Sequence, residues 1–319
     1  MTEENNGGSF EENARKIIES AEGPITLESE PAVKSLGKAQ KFQHPEQSLL
    51  AGDIGWKNVP LENLPSQGLF YPDGTEVTIR AASVAEIRHW STIDENDALG
   101  IDDMLNFVIE RCCRIRMSSM PANYKDLKEV DRFYLLFAIR DFTFKNGENR
   151  LYTTYQTQDG TEERIEITKD AINYFKPDEK LMKFYNPDRK CFVFEMKTGE
   201  IFELHFPNLG VMAFIKSYAK IKTQRNQQFD KAFLRYAPFL ISEWKGLSDR
   251  EYEKALQESL SWSIQKISLM DKITQLLANS INPEVVFIND RGEEATVPLS
   301  FRGGIKSVFL IPDILDELV

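Results

Sequence analysis

Fifty acidic residues, three histidines and three cysteines are the side chains of this sequence that could act as acids, bases, nucleophiles or metal ligands. Hydrolysis by general acid and base needs two carboxylates flanking the scissile bond in an apolar setting. Glu110, Glu195 and Glu203 are candidates, but so many acids guarantee accidental pairs, and the spacing reads as solvated or ion-paired carboxylates. His44, His89 and His205 are scattered over a terminal arm, a helix and a strand. His205 falls on the strand face opposite Leu204 and Phe206, a place for a polar surface role rather than a general base. Cys191 opens a strand beside Lys190, and no Cys/His arrangement can be assigned from the sequence. No G-x-S-x-G elbow, phosphate-cradling glycine loop or HExxH helix occurs. The expectation is therefore no catalytic residues, no cofactor and no metal.

Cys112 and Cys113 read as neighbours on one helix, pointing about 100° apart. They cannot bridge each other, and three cysteines without framework spacing indicate a reducing compartment and no disulfides. The formal charge of −11 and pI near 5.0 argue against a surface built to neutralise phosphates. The best basic candidate, Lys216 to Arg225, alternates lysine with apolar residues as a solvated helix face does. No stretch of about 18 apolar residues is present, and the first residues are acidic and polar. A protein made in a cytoplasm, with neither nucleic-acid partner nor membrane span, is expected.

At 319 residues, 41% of them hydrophobic, the chain can bury a large core. Residues 1–55 are rich in Glu, Asn, Gly, Ser and Gln and read as a flexible arm. Within it Phe10, Ala14, Ile17, Ile18 and Ala21 keep helical spacing, either a partner-docking helix or a transient turn without a role. Residues 56–319 read as one folded α+β domain, with sub-parts 56–208 and 209–319.

In that domain Pro72-Asp73-Gly74 is a turn signal and Thr75 to Arg80 alternates like a strand. Ser83 with Glu86 makes a capping box that starts a helix at Val84, with Ile87, Trp90 and Ile93 on its apolar face. Ile101, Met104, Leu105, Val108, Ile109 and Cys112 mark an amphipathic helix. A further helix is expected from Lys125 to Phe142, its aliphatic centre buried on more than one side. Three hairpins follow, turning at Asp159-Gly160, Thr198-Gly199 and Asp290-Arg291-Gly292. Between the last two, Phe229, Phe233, Tyr236, Ala237, Leu240 and Trp244 share a helix face interrupted by Pro238. Ser248 with Glu251 caps the next helix, and Ile264, Ile267, Met270, Ile273 and Leu277 stripe the last.

The segments LPSQGLFYPDGTEVTIRAASVAEIRHWS, DRFYLLFAIRDFTF, FVFEMKTGEIFELHFPNLG and FINDRGEEATVPLSF, in this order over residues 60–301, resemble the T-even-type bacteriophage baseplate hub and hub-assembly proteins. The resemblance implies a non-enzymatic virion protein of a contractile-tail baseplate, assembled in the host cytoplasm, in one or several copies. Its partners would be other hub, spike or tube-side tail proteins. The alternatives are an assembly chaperone absent from the finished particle and, in a different class, a cell-wall hydrolase of the tail.

Many members of that family carry CxxC pairs on two hairpins in the manner of a zinc ribbon. The corresponding turns here, Thr157 to Gly160 and Asn289 to Gly292, keep the glycine and have no cysteine. Apolar packing by Phe192, Phe194, Phe202, Phe206, Phe287 and Phe301 is expected to replace the metal. Each ring is worth roughly 1.5–3 kcal/mol, against the ~10–16 kcal/mol apparent binding energy of a structural zinc. Partner contacts are expected from Phe10, Ile17, Ile18, Phe42, Leu49 and Leu50 on the arm. The proline-limited turn carrying Phe70 and Tyr71 is either a rigid edge for a neighbour to grip or a cover for the chain's own apolar surface.

Overall fold

In the computed structural model, residues 55–118, 120–144, 150–157, 160–289 and 291–309 are described, and they form an α+β fold. The stripe at Phe10 to Ala21 and the arm residues Phe42, Leu49 and Leu50 lie outside the described residues.

The first half of the unit starts with strands β1 (Lys57–Val59), β2 (Glu76–Ile79) and β3 (Cys113–Arg116), an antiparallel sheet in that order. Helix α1 (Val84–Trp90) begins where the capping box predicts: the Ser83 hydroxyl accepts from the Glu86 N–H, and the Glu86 carboxylate accepts from the Ser83 N–H. Helix α2 (Ala98–Cys112) buries Leu105, Val108, Ile109 and Cys112 as its stripe requires. It ends at Cys112, because Cys113 already pairs with Ile79 as the first residue of β3. The two cysteines thus belong to different elements, which corrects their reading as helical neighbours; with Cys191 they are free and buried.

Helix α3 (Arg132–Thr143) begins seven residues later than its periodicity suggests. Tyr124–Asp126 and Glu129–Asp131 form 3-10 turns instead. The reason is tertiary: Asp126 accepts from the Trp244 indole at 2.8 Å and Asp131 accepts from Ser66 and Tyr71, bonds that a continuous helix would not reach. Leu135, Leu136, Phe137 and Ile139 are all buried, so the aliphatic centre is enclosed on several sides.

Strands β4 (Leu151–Gln156) and β5 (Glu162–Ile167) form the first hairpin. Strand β6 (Ile172–Asn173) edges a sheet with β10 (Glu284–Ile288) and β11 (Glu294–Pro298), the third hairpin, in the order β11-β10-β6. These strands and α1 to α3 share a core that includes Trp90, Ile109, Leu136, Phe137, Val285 and Phe309.

Helix α4 (Glu179–Met182) and strands β7 (Tyr185–Asn186), β8 (Cys191–Glu195) and β9 (Ile201–Leu204) lead into helices α5 (Leu209–Gln224), α6 (Phe233–Leu240), α7 (Asp249–Leu260) and α8 (Ile264–Ser280). Pro238 sits in the last turn of α6 and the helix stops two residues later; Phe229 and Trp244 fall outside it. The Ser248 hydroxyl accepts from the Glu251 N–H at 3.4 Å and starts α7. The second core is ring-rich, with Phe192, Phe194, Phe202, Phe206 and Phe233 against Met270 and Leu277. Phe287 and Phe301 pack elsewhere, on Tyr155 and Phe137 beside the first core.

The two cores do not follow a division at 208/209. The second hairpin packs with the later helices, and the third hairpin returns to the first core. At Gly210 the start of α5 passes so close to Trp244 that a Cβ would lie 2.4 Å from the indole Cγ, so only glycine fits.

Candidate functional site

The second hairpin organises the chemistry. Its loop is a tight turn in which the Gly199 N–H donates to the Met196 carbonyl and Gly199 takes φ 81°, a conformation glycine adopts without steric cost. That turn fixes the register: Phe194 faces Phe202, Val193 faces Glu203 and Phe192 faces Leu204. The rings of Phe192, Phe194 and Phe202, with Leu204, enter the core, so Cys191, Val193 and Glu195 on one strand and Ile201 and Glu203 on the other share the opposite face, on which Cys191 is nonetheless buried. One rung beyond Phe192–Leu204, the same register sets Cys191 across from His205.

The result is a cluster that the sequence left scattered. The Sγ of Cys191, a carboxylate oxygen of Glu203 and a ring nitrogen of His205 all lie within 4.8 Å of one another. The Cys191 thiol donates to Glu203 Oε2 at 3.7 Å, and His205 Nε2 is 3.8 Å from the same oxygen. The other oxygen, Oε1, accepts from the Arg189 guanidinium. Arg189 is delivered by the β7–β8 turn, in which the Asn186 side chain accepts from the N–H groups of Asp188 and Arg189. Burial, then the neighbouring Glu203 charge, pushes the Cys191 thiol up to about 11. Burial and next the Lys128 charge hold the His205 imidazole below its ordinary value. His89 stays apart, exposed on α1 with its ring against Phe107, and His44 lies outside the described residues.

His205 lines a cleft of about 500 Å³ shared with Lys128, Arg189, Lys190, Asp73 and Glu243. Charges alternate around it: Lys190 pairs with Asp73 at 3.0 Å, and the Lys128 ammonium donates to the Phe206 carbonyl at 3.3 Å. The candidate acids do not form a dyad there. Glu110 is exposed on α2, Glu195 is exposed on β8, and Glu203 is held by Arg189.

Phe70 and Tyr71 are 2% and 1% exposed, so of the two readings of their turn the burial fits the cover for the chain's own apolar surface and not an edge gripped by a partner. Consecutive residues enter different cores. The Phe70 ring lies 4.2 Å from that of Phe206 in the second, while Tyr71 packs in the first. There the Tyr71 hydroxyl donates to Asp131 at 2.8 Å and accepts from the Lys128 N–H at 2.9 Å. Beside this seam Arg132 donates to Asp102 at 2.5 Å, and Lys216 reaches the same oxygen at 2.6 Å. The basic run from Lys216 is therefore partly spent within the fold; Lys222 also pairs with Glu253 at 3.3 Å.

The apolar surface that is available lies at the α7–α8 corner. Leu260 is 64% and Ile264 86% exposed, and Ile267 continues outward one turn later. The stripe of α8 thus dips into the core only from Met270 on. Lys266, on the same helix turn, pairs with Glu200 of the hairpin at 2.5 Å. Sequence reasoning passed over this corner by assigning both isoleucines to a buried face.

No protein family, curated protein or solved structure matches the chain. Among the described residues, no helix is long and apolar enough to cross a membrane.

Proposed function

We propose that this chain is a structural or assembly component of a T-even-type contractile-tail baseplate hub, working through protein–protein interfaces rather than catalysis. The observation that carries the reading is the α7–α8 corner: Leu260 at the end of α7 and Ile264 and Ile267 in the first turns of α8 are large apolar side chains exposed to water. Grouped exposed apolar residues mark interaction surfaces, whereas singly scattered ones carry no such meaning. The order of the four hub-like segments supports the choice of assembly. The partners in this reading are hub, spike or tube-side tail proteins, and the site of action is the virion baseplate, built in the host cytoplasm.

The test is complementation of a phage lacking this protein. Leu260→Asp with Ile264→Asp should leave the chain folded and soluble yet sharply reduce particle yield. Normal yield from the folded double variant would reject the corner as the interface and remove the main support for the reading.

A further inference from the structure

We propose that Cys191, Glu203 and His205 form a binding site for one zinc-class divalent ion, which clamps the open end of the β8–β9 hairpin. These are the three side-chain types that zinc takes in proteins, thiolate, imidazole and carboxylate. They converge at one end of the hairpin, Cys191 buried and Glu203 and His205 partly exposed, with the Glu203 oxygen 3.7 Å from the thiol and 3.8 Å from the imidazole nitrogen. A tetrahedral zinc with ordinary bond lengths needs donor–donor edges of about 3.3–3.6 Å. Small side-chain shifts therefore close the set around an ion without moving the backbone.

The supporting contacts fit the role. The Arg189 guanidinium occupies Glu203 Oε1 and leaves Oε2 facing the other two donors. Such a bond fixes a ligating carboxylate. The strands meet at this end with no further β8–β9 ladder beyond Phe192–Leu204, so a shared ion would tie residue 191 to residue 205 across the gap. His205 also lines the cleft, which provides entry and leaves the fourth position to water or to a donor from outside the chain. The Lys128 ammonium in that cleft opposes a cation, but Glu243, Asp131 and Asp126 surround and offset it. Binding replaces the thiol proton with metal, so one proton leaves for each ion taken up.

This site differs from a CxxC ribbon in its donors, its hairpin and its count of thiolates, and it stands whether or not the chain belongs to a baseplate. The experiment is titration of the full-length, metal-stripped chain with Zn(II) by calorimetry and with Co(II) by absorption. One equivalent should bind, the cobalt form should show a thiolate-to-metal charge-transfer band with tetrahedral ligand-field bands, and zinc should raise Tm. Cys191→Ser should abolish the charge-transfer band. His205→Gln, at a partly exposed position, should weaken binding by at least about ten-fold. Cys112→Ala, in the other core, should leave both unchanged. No stoichiometric binding by the wild-type chain, a cobalt spectrum without thiolate character, or unchanged affinity in folded His205→Gln would each overturn the proposal.

Discussion

Two polar clusters, joined by Lys128, sit only a few residues apart in space and are built on opposite principles. Around Asp131 every donor has its acceptor at short range: the carboxylate accepts from the Ser66 N–H at 2.9 Å, the Ser66 hydroxyl at 2.8 Å and the Tyr71 hydroxyl at 2.8 Å. All three residues are buried. At the hairpin end, Glu203 lies 3.7 Å from Cys191 and 3.8 Å from His205, longer than a strong hydrogen bond, with Glu203 and His205 partly exposed and His205 lining the cleft. The first cluster is closed and holds the chain's entry segment across the seam between two cores. The second brings three metal-ligating side-chain types together at longer range. A buried polar group that is fully satisfied specifies structure. One that converges without satisfying itself has capacity left for a ligand.

The difference should be visible in stability first. Asp131→Ala strands two hydroxyls and an N–H in a dry seam, and equilibrium denaturation should show a loss of about 3–5 kcal/mol. The same residue should also leave a pH signature. Burial raises the Asp131 carboxyl from its ordinary 3.8 to about 6, so the folded state holds this proton more tightly than the unfolded one. Its contribution is fully present below pH 3.8 and is lost as the pH rises through about 6. Comparing denaturation midpoints of wild type and Asp131→Asn across that window should show a steeper decline in the wild type. Tyr71→Phe keeps the ring and removes one donor and one acceptor, for a cost of about 1–3 kcal/mol.

Metal-free His205→Gln should cost less than about 1 kcal/mol by the same measurement, because the corner contributes little while unfilled. A loss as large as that of Tyr71→Phe would make the corner a second structural knot. Ile264→Asp should change stability by no more than about 0.5 kcal/mol, since the side chain already stands in water. Under the proposed hub role its effect would fall on particle assembly instead.

Much of the scaffold was legible because its causes are local. Ser83 and Glu86 announce α1 by a reciprocal bond three residues apart, and Thr198-Gly199 announces a hairpin by the backbone angle glycine permits. What the sequence hid depends on partners far along the chain. Asp126 and Asp131 break the expected helix at Lys125 to satisfy Trp244, Ser66 and Tyr71. Asp102 and Asn106 are buried on α2 because Arg132 and Lys216 arrive from other helices. The Cys191–His205 rung lies between these cases. Counting equal steps outward from the Thr198-Gly199 turn pairs 192 with 204 and then 191 with 205, so the register alone could have found it. Ile264 and Ile267 show the opposite error: a helical stripe has the right period, but it is covered only where a neighbouring element exists.

The central claim is that this chain acts as a component of a tail baseplate hub, and its presence in the assembly is the most direct check. Quantitative mass spectrometry of purified phage particles and of baseplate intermediates should find the chain in a fixed ratio to the hub proteins of one or both. Its absence from both fractions, while it is abundant in the same lysate, would contradict the account.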